Sequence, residues 1–306
     1  MIRYVLARFA EALISVWGVV TIVFFVTRLV GDPVALLVPV GASAQQMDEL
    51  SAALGLNQPM WRQYLTFTVH VLTGDFGRSF QFGRPAAEVV LERMPATIQL
   101  AAAAIALGVI IGGGAGAIAA LKRGTLAELA VMTLALLGQA TPVFWLGIML
   151  ILFFAVDLGW LPTGGYGALG HLVLPAVTLA VFVSASIARL LRSSMLDVLK
   201  EDYVRTARSK GLMPTTIFVW HVVRNALIPV LTMIGILVGE LLGGSVVTET
   251  VFAWPGVGRL IVQAIETKDF PVIQTGVALV AIIYVATNFI VDLLYAVVDP
   301  RIRARR

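Results

Sequence analysis

Cysteine is absent from this 306-residue chain. Disulfides, thiol nucleophiles and cysteine metal sites are therefore excluded. Charge is scarce: Asp, Glu, Lys and Arg make up 13% of residues, against roughly 25% in soluble domains. So few charges cannot clothe the water-exposed surface of a globular protein this long. Histidine occurs only as His70, His171 and His221, with no metal-ligand spacing among them. No G-x-x-x-x-G-K-[ST] loop is present, so the chain cannot cradle ATP phosphates by that route. H-E-x-x-H, G-x-S-x-G and paired aspartates in facing apolar segments are also missing, which argues against an intramembrane enzyme. The net charge of +4 forms no basic stripe of the kind that binds nucleic acid.

What the chain has is apolar length. Hydrophobic residues make up 59% and mean hydropathy is +0.92. A helix needs about 20 apolar residues to cross the hydrocarbon of a bilayer. Six stretches qualify: Phe9 to Leu29, Ala96 to Leu121, one within Ala127 to Val156, Leu172 to Leu191, Leu227 to Val247, and Gln274 to Val298. The third contains Pro142 and reads either as one tilted, kinked span or as two short ones. Lys and Arg accumulate in cytoplasmic loops, and counting it as one span puts 15 of the 22 on one side, with both termini. Six spans with cytoplasmic termini is the expectation. The first span is read as an uncleaved anchor despite Ala42-Ser43-Ala44, because its apolar run exceeds the 7–15 residues of a signal core.

This reading divides the chain into a tail and first span (1–30), an outer segment (31–95), a five-span core (96–298) holding a cytoplasmic loop (193–226), and a basic tail (299–306). The outer segment is mostly polar, with a turn at Asn57-Gln58-Pro59, a helix after Pro59, and breaks at Gly74-Asp75 and Gly83-Arg84-Pro85. It is expected to form a small helical cap. Trp145, Trp160, Trp254 and Tyr166 are expected at the membrane interfaces.

The cytoplasmic loop carries the most information. Leu196, Leu199, Tyr203 and Ala207 recur at helical spacing, with charges between them. Gly211 stands where a left-handed cap would end that helix, and Pro214 suits the first turn of a second. Ile217, Trp220, Val223 and Leu227 would give the second helix its apolar face. A helix, a glycine hinge and a second helix suit either a connector lying on lipid headgroups or a lever for a soluble partner. Small Thr206 and Ala207 would permit close approach, while Arg205, Arg208 and Lys210 would supply docking charge.

Tyr203 to Leu212 (YVRTARSKGL) and Arg224 to Val230 (RNALIPV) resemble the coupling loop of ABC-importer permeases of the dipeptide/oligopeptide/nickel branch. The general pattern is Glu-Ala-Ala, three residues, then Gly; here Arg205, Thr206, Ala207 and Gly211 hold those places, with Arg and Thr replacing Glu and Ala. The resemblance extends to Gly31-Asp32-Pro33, Leu54-Gly55-Leu56, Gly74-Asp75-Phe76-Gly77 with Ser79, and Glu92 to Thr97. Further on it covers Thr141 to Trp145, Leu161 to Gly165, Glu249 to Phe252, Pro255 to Leu260, and Asp299-Pro300-Arg301.

The resemblance implies an all-α integral membrane protein of the type I ABC importer permease fold, with six transmembrane helices in the bacterial inner membrane. It implies a non-catalytic subunit that pairs with a second homologous permease, two ATPase subunits carrying ATP and Mg, and an extracytoplasmic substrate-binding protein. The substrate class would be di- or oligopeptides, with nickel or another small solute as the alternative. Tyr203, Arg205, Thr206, Ala207, Arg208, Lys210 and Gly211 would dock to an ATPase. The outer segment would help meet the binding protein.

Polar groups inside spans are costly and need partners. Glu240 in the fifth span reads as a packing or protonated carboxyl, or as a pathway residue. Asn288 is a second pathway candidate, one helical turn from Asp292. Gln139 and Thr141 flank Pro142, where freed backbone groups need partners. Gly112-Gly113-Gly114 with Gly116, and Gly235, Gly239 and Gly243, have the spacing of tight helix contacts. A self-sufficient carrier or channel is the rival from another class; the lack of an internal repeat and the near isolation of Glu240 weigh against it.

Overall fold

In the computed structural model the described residues are 2–30, 34, 38, 43–53 and 55–298. Gly31-Asp32-Pro33, Leu54 and the tail from Asp299 lie outside the described residues, as does the side chain of Asp292. The described residues contain no strand, only a bridge between Arg78 and Pro85. The helices are α1 (Ile2–Val30), α2 (Ala44–Ala53), α3 (Met60–Thr73), α4 (Ala86–Leu121), α5 (Leu126–Ala140), α6 (Val143–Leu150), α7 (Leu169–Val198), α8 (Asp202–Ser209), α9 (Arg224–Gly244), α10 (Val246–Val251), α11 (Val257–Glu266) and α12 (Phe270–Val298). Two π-helical stretches join them: Ile151–Asp157 extends α6, and Ile217–Val223 leads from the turn Pro214–Thr216 into α9.

Among the described residues, five stretches are long and apolar enough to cross a bilayer: Val5–Arg28, Ala86–Leu121, Leu169–Val198, Pro214–Gly243 and Phe270–Val291. Each overlaps one of the five uninterrupted spans expected from sequence, although one begins at Ala86 rather than Ala96 and another at Pro214 rather than Leu227. The third expected span is the exception. It is neither straight nor gently kinked: α5 and the run Val143–Asp157 meet at 103°. Proline has no N–H and restrains the residue before it, so Thr141 turns to extended backbone and Pro142 opens a new helix. Thr141 satisfies the break locally, as its N–H and its hydroxyl both donate to the Leu137 carbonyl, at 3.0 and 2.7 Å.

The chain forms two compact units. In the one built from 98–254 and 287–298, α7 is the most enclosed helix, with 61% of its apolar window buried. It packs on α5, α6 and α9. Glycine makes part of this possible. A Cβ on Gly112 would stand 2.5 Å from the Ser184 carbonyl oxygen, and one on Gly116 2.7 Å from that of Ala188. Gly108, one turn earlier, packs on Val183 in the same stripe. Gly113 and Gly114, grouped with Gly112 from sequence, have nothing within 4 Å and take no part in this contact. Gly235 of α9 rests on Val291 of α12. An ion pair between Arg192 of α7 and Glu128 of α5 ties the polar ends of two helices, with Glu128 also accepting from the Gly124 N–H.

The 163–165 turn lies against Phe252: the Gly165 N–H donates to the Phe252 carbonyl at 2.8 Å, and Gly164 leaves no room for a side chain there. Trp254 is buried, edge-on to Tyr166 at 4.9 Å. It is a core residue of this turn, not the interfacial marker expected from sequence. Trp145, Trp160 and Tyr166 are exposed.

The second unit comprises 2–97 and 255–286. Its core gathers Val89, Val90 and Met94 of α4 with Val257 and Leu260 of α11 and Phe270 of α12. The Thr97 hydroxyl accepts the Val257 N–H at 2.9 Å. Asp269 precedes α12 and is 1% exposed. Its carboxylate accepts from the Ser79 hydroxyl, the Gln81 N–H and the Val272 N–H. The last is a helix cap, which satisfies an otherwise unpaired amide. The Ser79 hydroxyl in turn accepts from the Phe82 N–H at 2.9 Å. The 79–84 turn is thereby tied to the head of the last helix.

Candidate functional site

The loop between α7 and α9 begins by continuing the span. α7 runs to Val198, turns at Leu199-Lys200-Glu201, and restarts as α8. The single amphipathic helix expected from Leu196 to Ala207 is thus two helices. Of the expected apolar positions Ala207 is buried, while Met195 on α7 and Val204 on α8 are buried in place of Leu196, Leu199 and Tyr203. Val204 and Ala207 are three apart, one face of a helix, and α8 packs on the π-helical stretch Ile217–Val223.

Ala207 is therefore turned into this chain's own core. The residues that α8 presents outward are Tyr203, Arg205, Thr206 and Arg208, followed by exposed Lys210 and Gly211. The Arg205–Asp202 pair is fully solvated at 3.7 Å, so it fixes little. Partial burial raises the pKa of the Tyr203 phenol above its ordinary value; the Glu201 carboxylate adds to this and a hydrogen bond with the Asn225 side chain opposes it. Tyr203 is a neutral hydroxyl at physiological pH. Asn225 donates to the His221 carbonyl at 2.7 Å, so Tyr203 is joined to the root of α9.

Gly211 has φ +74° with open space around it. It supplies the left-handed residue after α8 that the sequence expects, and Pro214 opens the next helix. The apolar face of that helix differs from the expectation. Ile217, Val222, Ala226 and Val230 are buried, whereas Trp220 is exposed. The first step is five residues and the next two are four. A π turn adds a residue to its repeat, and so moves the buried stripe one position along the chain. A sequence read with a uniform 3.6 period places Trp220 inside.

Glu240 is exposed on α9, and Asn288 is half-buried on α12. At 3.6 residues per turn, Glu240 lies about 140° around α9 from Gly235, the residue that meets Val291. Asn288 lies one turn from Val291, on the α12 face toward α9. The two pathway candidates point different ways. Among the described residues no cluster of His, Asp and Glu could hold a metal ion. Sequence reading missed Asp269; a lone Asp ahead of an apolar run is a common N-cap, and nothing local names Ser79 as its partner.

Among the described residues the structure is helical, with several spans of membrane length and a short helix slung between two of them, which defines a multi-pass membrane protein. The chain belongs to the binding-protein-dependent transport system inner membrane component family, whose model matches residues 112–304, with its N-terminal companion matching 1–101. It is thus a permease subunit of an ABC importer, a multi-pass protein of the inner membrane. It is 40% identical to the di/tripeptide transport system permease protein DppB of Pseudomonas aeruginosa, over the whole of both chains. It is 42% identical to the glutathione transport system permease protein GsiC of Escherichia coli K12, over 99% of each. The fold matches two solved structures, each with a TM-score of 0.56. One is an amino acid ABC transporter (16% identity, 68% of this chain and 94% of that one). The other is the MetNI methionine ABC transporter (20% identity, 69% and 96%).

Proposed function

We propose that this chain forms half of the translocation pathway of an importer for di- or oligopeptides, and is driven by ATPase subunits that grip α8. The observation that carries the reading is the two-sided character of this eight-residue helix. Val204 and Ala207 anchor it to the π-helical root of α9, while Tyr203, Arg205, Thr206, Arg208 and Lys210 stay outside. A short helix so anchored transmits a push to the span behind it, and its exposed charges supply register for a partner. Gly211 sets the angle at which the chain leaves. ATP and Mg belong to the ATPases, a second homologous permease completes the pathway, and an extracytoplasmic binding protein delivers the substrate. Both termini are cytoplasmic, in keeping with the distribution of Lys and Arg. The peptide class rests on the names of DppB and GsiC, relatives across the full length.

Glu240 belongs with the pathway or the second permease. An ionised carboxylate facing lipid near the middle of a span costs roughly 2.5–3.5 kcal/mol, and Glu240 is exposed in the single chain.

The test uses the whole transport system expressed in membranes. Thr206→Asp and Arg208→Glu alter only the outward face of α8. Loss of the ATPases on purification, with the permease still inserted and dipeptide uptake abolished, is the expected result. Full ATPase recovery with unchanged substrate-stimulated ATP hydrolysis would overturn the docking assignment. Intact coupling with no peptide competing for uptake would overturn the substrate class alone.

A further inference from the structure

α3 belongs to the segment read from sequence as an outer cap, yet its contacts lie beside a membrane span. Its Tyr64 hydroxyl is 2.7 Å from that of Thr21 on α1. The Tyr64 ring stacks on Phe25 at 5.8 Å and stands edge-on to Phe24 and Trp17. Phe67 packs on Phe24 at 5.2 Å, and Phe24 is fully buried by these contacts. The apolar span of α1 is Val5–Arg28. Thr21 is seven residues from Arg28, and a helix rises 1.5 Å per residue, so Tyr64 meets α1 about 10 Å inside the end of the span.

The rest of α3 divides into two arcs. Gln63, Thr66 and His70 share one side and line a cavity of about 660 Å³ with Arg28, Asp75 and Gln274. On another side Trp61, Leu65, Val69 and Leu72 recur at four, four and three residues and are all exposed, Leu72 to 76%. That spacing is a single apolar stripe. It adjoins the arc that packs on α1, and α1 itself exposes Ile14, Trp17, Ile22 and Phe25 within its span. The bare stripe lies beside a helix that is itself apolar and exposed along its span, and lipid is the solvent that suits both.

We infer that α3 lies in the outer leaflet as an interfacial helix, with Trp61, Leu65, Val69 and Leu72 against lipid and Gln63, Thr66 and His70 toward the polar cavity. Interfacial amphipathic helices sink their apolar face about 5–10 Å into the headgroup and acyl boundary, which matches the depth at which Tyr64 meets α1. Gly74, with φ +75°, caps the helix and turns the chain away at its end. The outer segment is then partly a membrane element, and the surface it can offer to a soluble binding protein is narrower than its length suggests.

This chain has no cysteine of its own, so each introduced one is its single labelling site. Single cysteines at Leu65, Val69 and Leu72, and at Thr66 and His70, are spin-labelled in the assembled transporter in lipid vesicles. Collision rates with oxygen and with a water-soluble nickel chelate are then compared. The expected result is a severalfold higher oxygen-to-nickel ratio at 65, 69 and 72 than at 66 and 70. High nickel access at the first three would place the stripe in water and overturn the inference. Exclusion of both reagents there would show that a protein subunit covers it, and would overturn it equally. A second measurement needs no substitution: acyl-chain photoreactive lipid in the unaltered complex should label the tryptic peptide spanning Gln63 to Arg78. Absence of label from that peptide, with α1 peptides labelled, would also overturn it.

Discussion

Ser79 donates its hydroxyl to the buried carboxylate of Asp269, 190 residues further along the chain. Two ends of one structural unit are joined by this contact, and the same carboxylate caps the helix that begins at Phe270. Asp269→Ala removes the acceptor for three donors at once. An unsatisfied buried donor costs roughly 1–3 kcal/mol, so thermal unfolding of the purified complex should occur several degrees lower. Ser79→Ala should cost less, because it takes the acceptor only from the Phe82 N–H and leaves Asp269 two backbone partners.

Gly112 and Gly113 are neighbours in sequence with opposite tolerances. Gly112→Ala brings a methyl 2.5 Å from the Ser184 carbonyl oxygen and 2.9 Å from the Ser184 Cα. Backbone cannot step aside cheaply, and overpacking costs about 1–3 kcal/mol. Gly113→Ala meets nothing within 4 Å and gains up to about 1 kcal/mol of helix propensity. Thermal stability in detergent should fall for the first and hold or rise for the second.

Glu128 and Arg192 should behave as a unit. The Gly124 N–H and the guanidinium of Arg192 both favour the charged form of Glu128. Arg192→Gln alone should lower the unfolding midpoint. Adding Glu128→Gln should recover part of the loss, because no unpaired charge then remains. A double-mutant cycle on unfolding midpoints checks this, and strictly additive losses would refute the coupling.

Gly211→Ala tests backbone conformation alone, since the added methyl has open space. A left-handed conformation costs a non-glycine residue about 1–2 kcal/mol. The permease should still insert, while α8 is re-aimed or frays. Uptake should therefore fall further than permease abundance, as judged by transport per inserted molecule.

Much of the architecture is legible in the sequence because lipid is an undemanding solvent to read: apolar length alone locates Val5–Arg28 and the four other uninterrupted spans. The local signals of Gly211 and Pro214 are equally direct, since each residue type is nearly forced by the backbone it must adopt. Uniform periodicity is what fails. Counting at a constant step puts Trp220 and Tyr203 on buried faces, and a π turn before Arg224 and a break at Leu199 change the count. Pro142 announces a break but not its angle, which depends on packing against α7 and α10. Nothing in the sequence of 31–95 announces that Tyr64 and Phe67 pack on α1. Long-range pairs such as Ser79 with Asp269 leave no trace in a single sequence.

The extra residue in the Ile217–Val223 turn is also a stored rotation. An α turn and a π turn differ by one residue, and one residue is about 100° of helix. Were that turn to tighten to the α repeat, everything from Arg224 to Gly244 would rotate by that amount about its own axis without any change in length greater than a residue's rise. Glu240 would sweep through more than a quarter of a circle. The π repeat at the foot of α9 thus fixes which of its residues are buried, and a change in that repeat would change them all together.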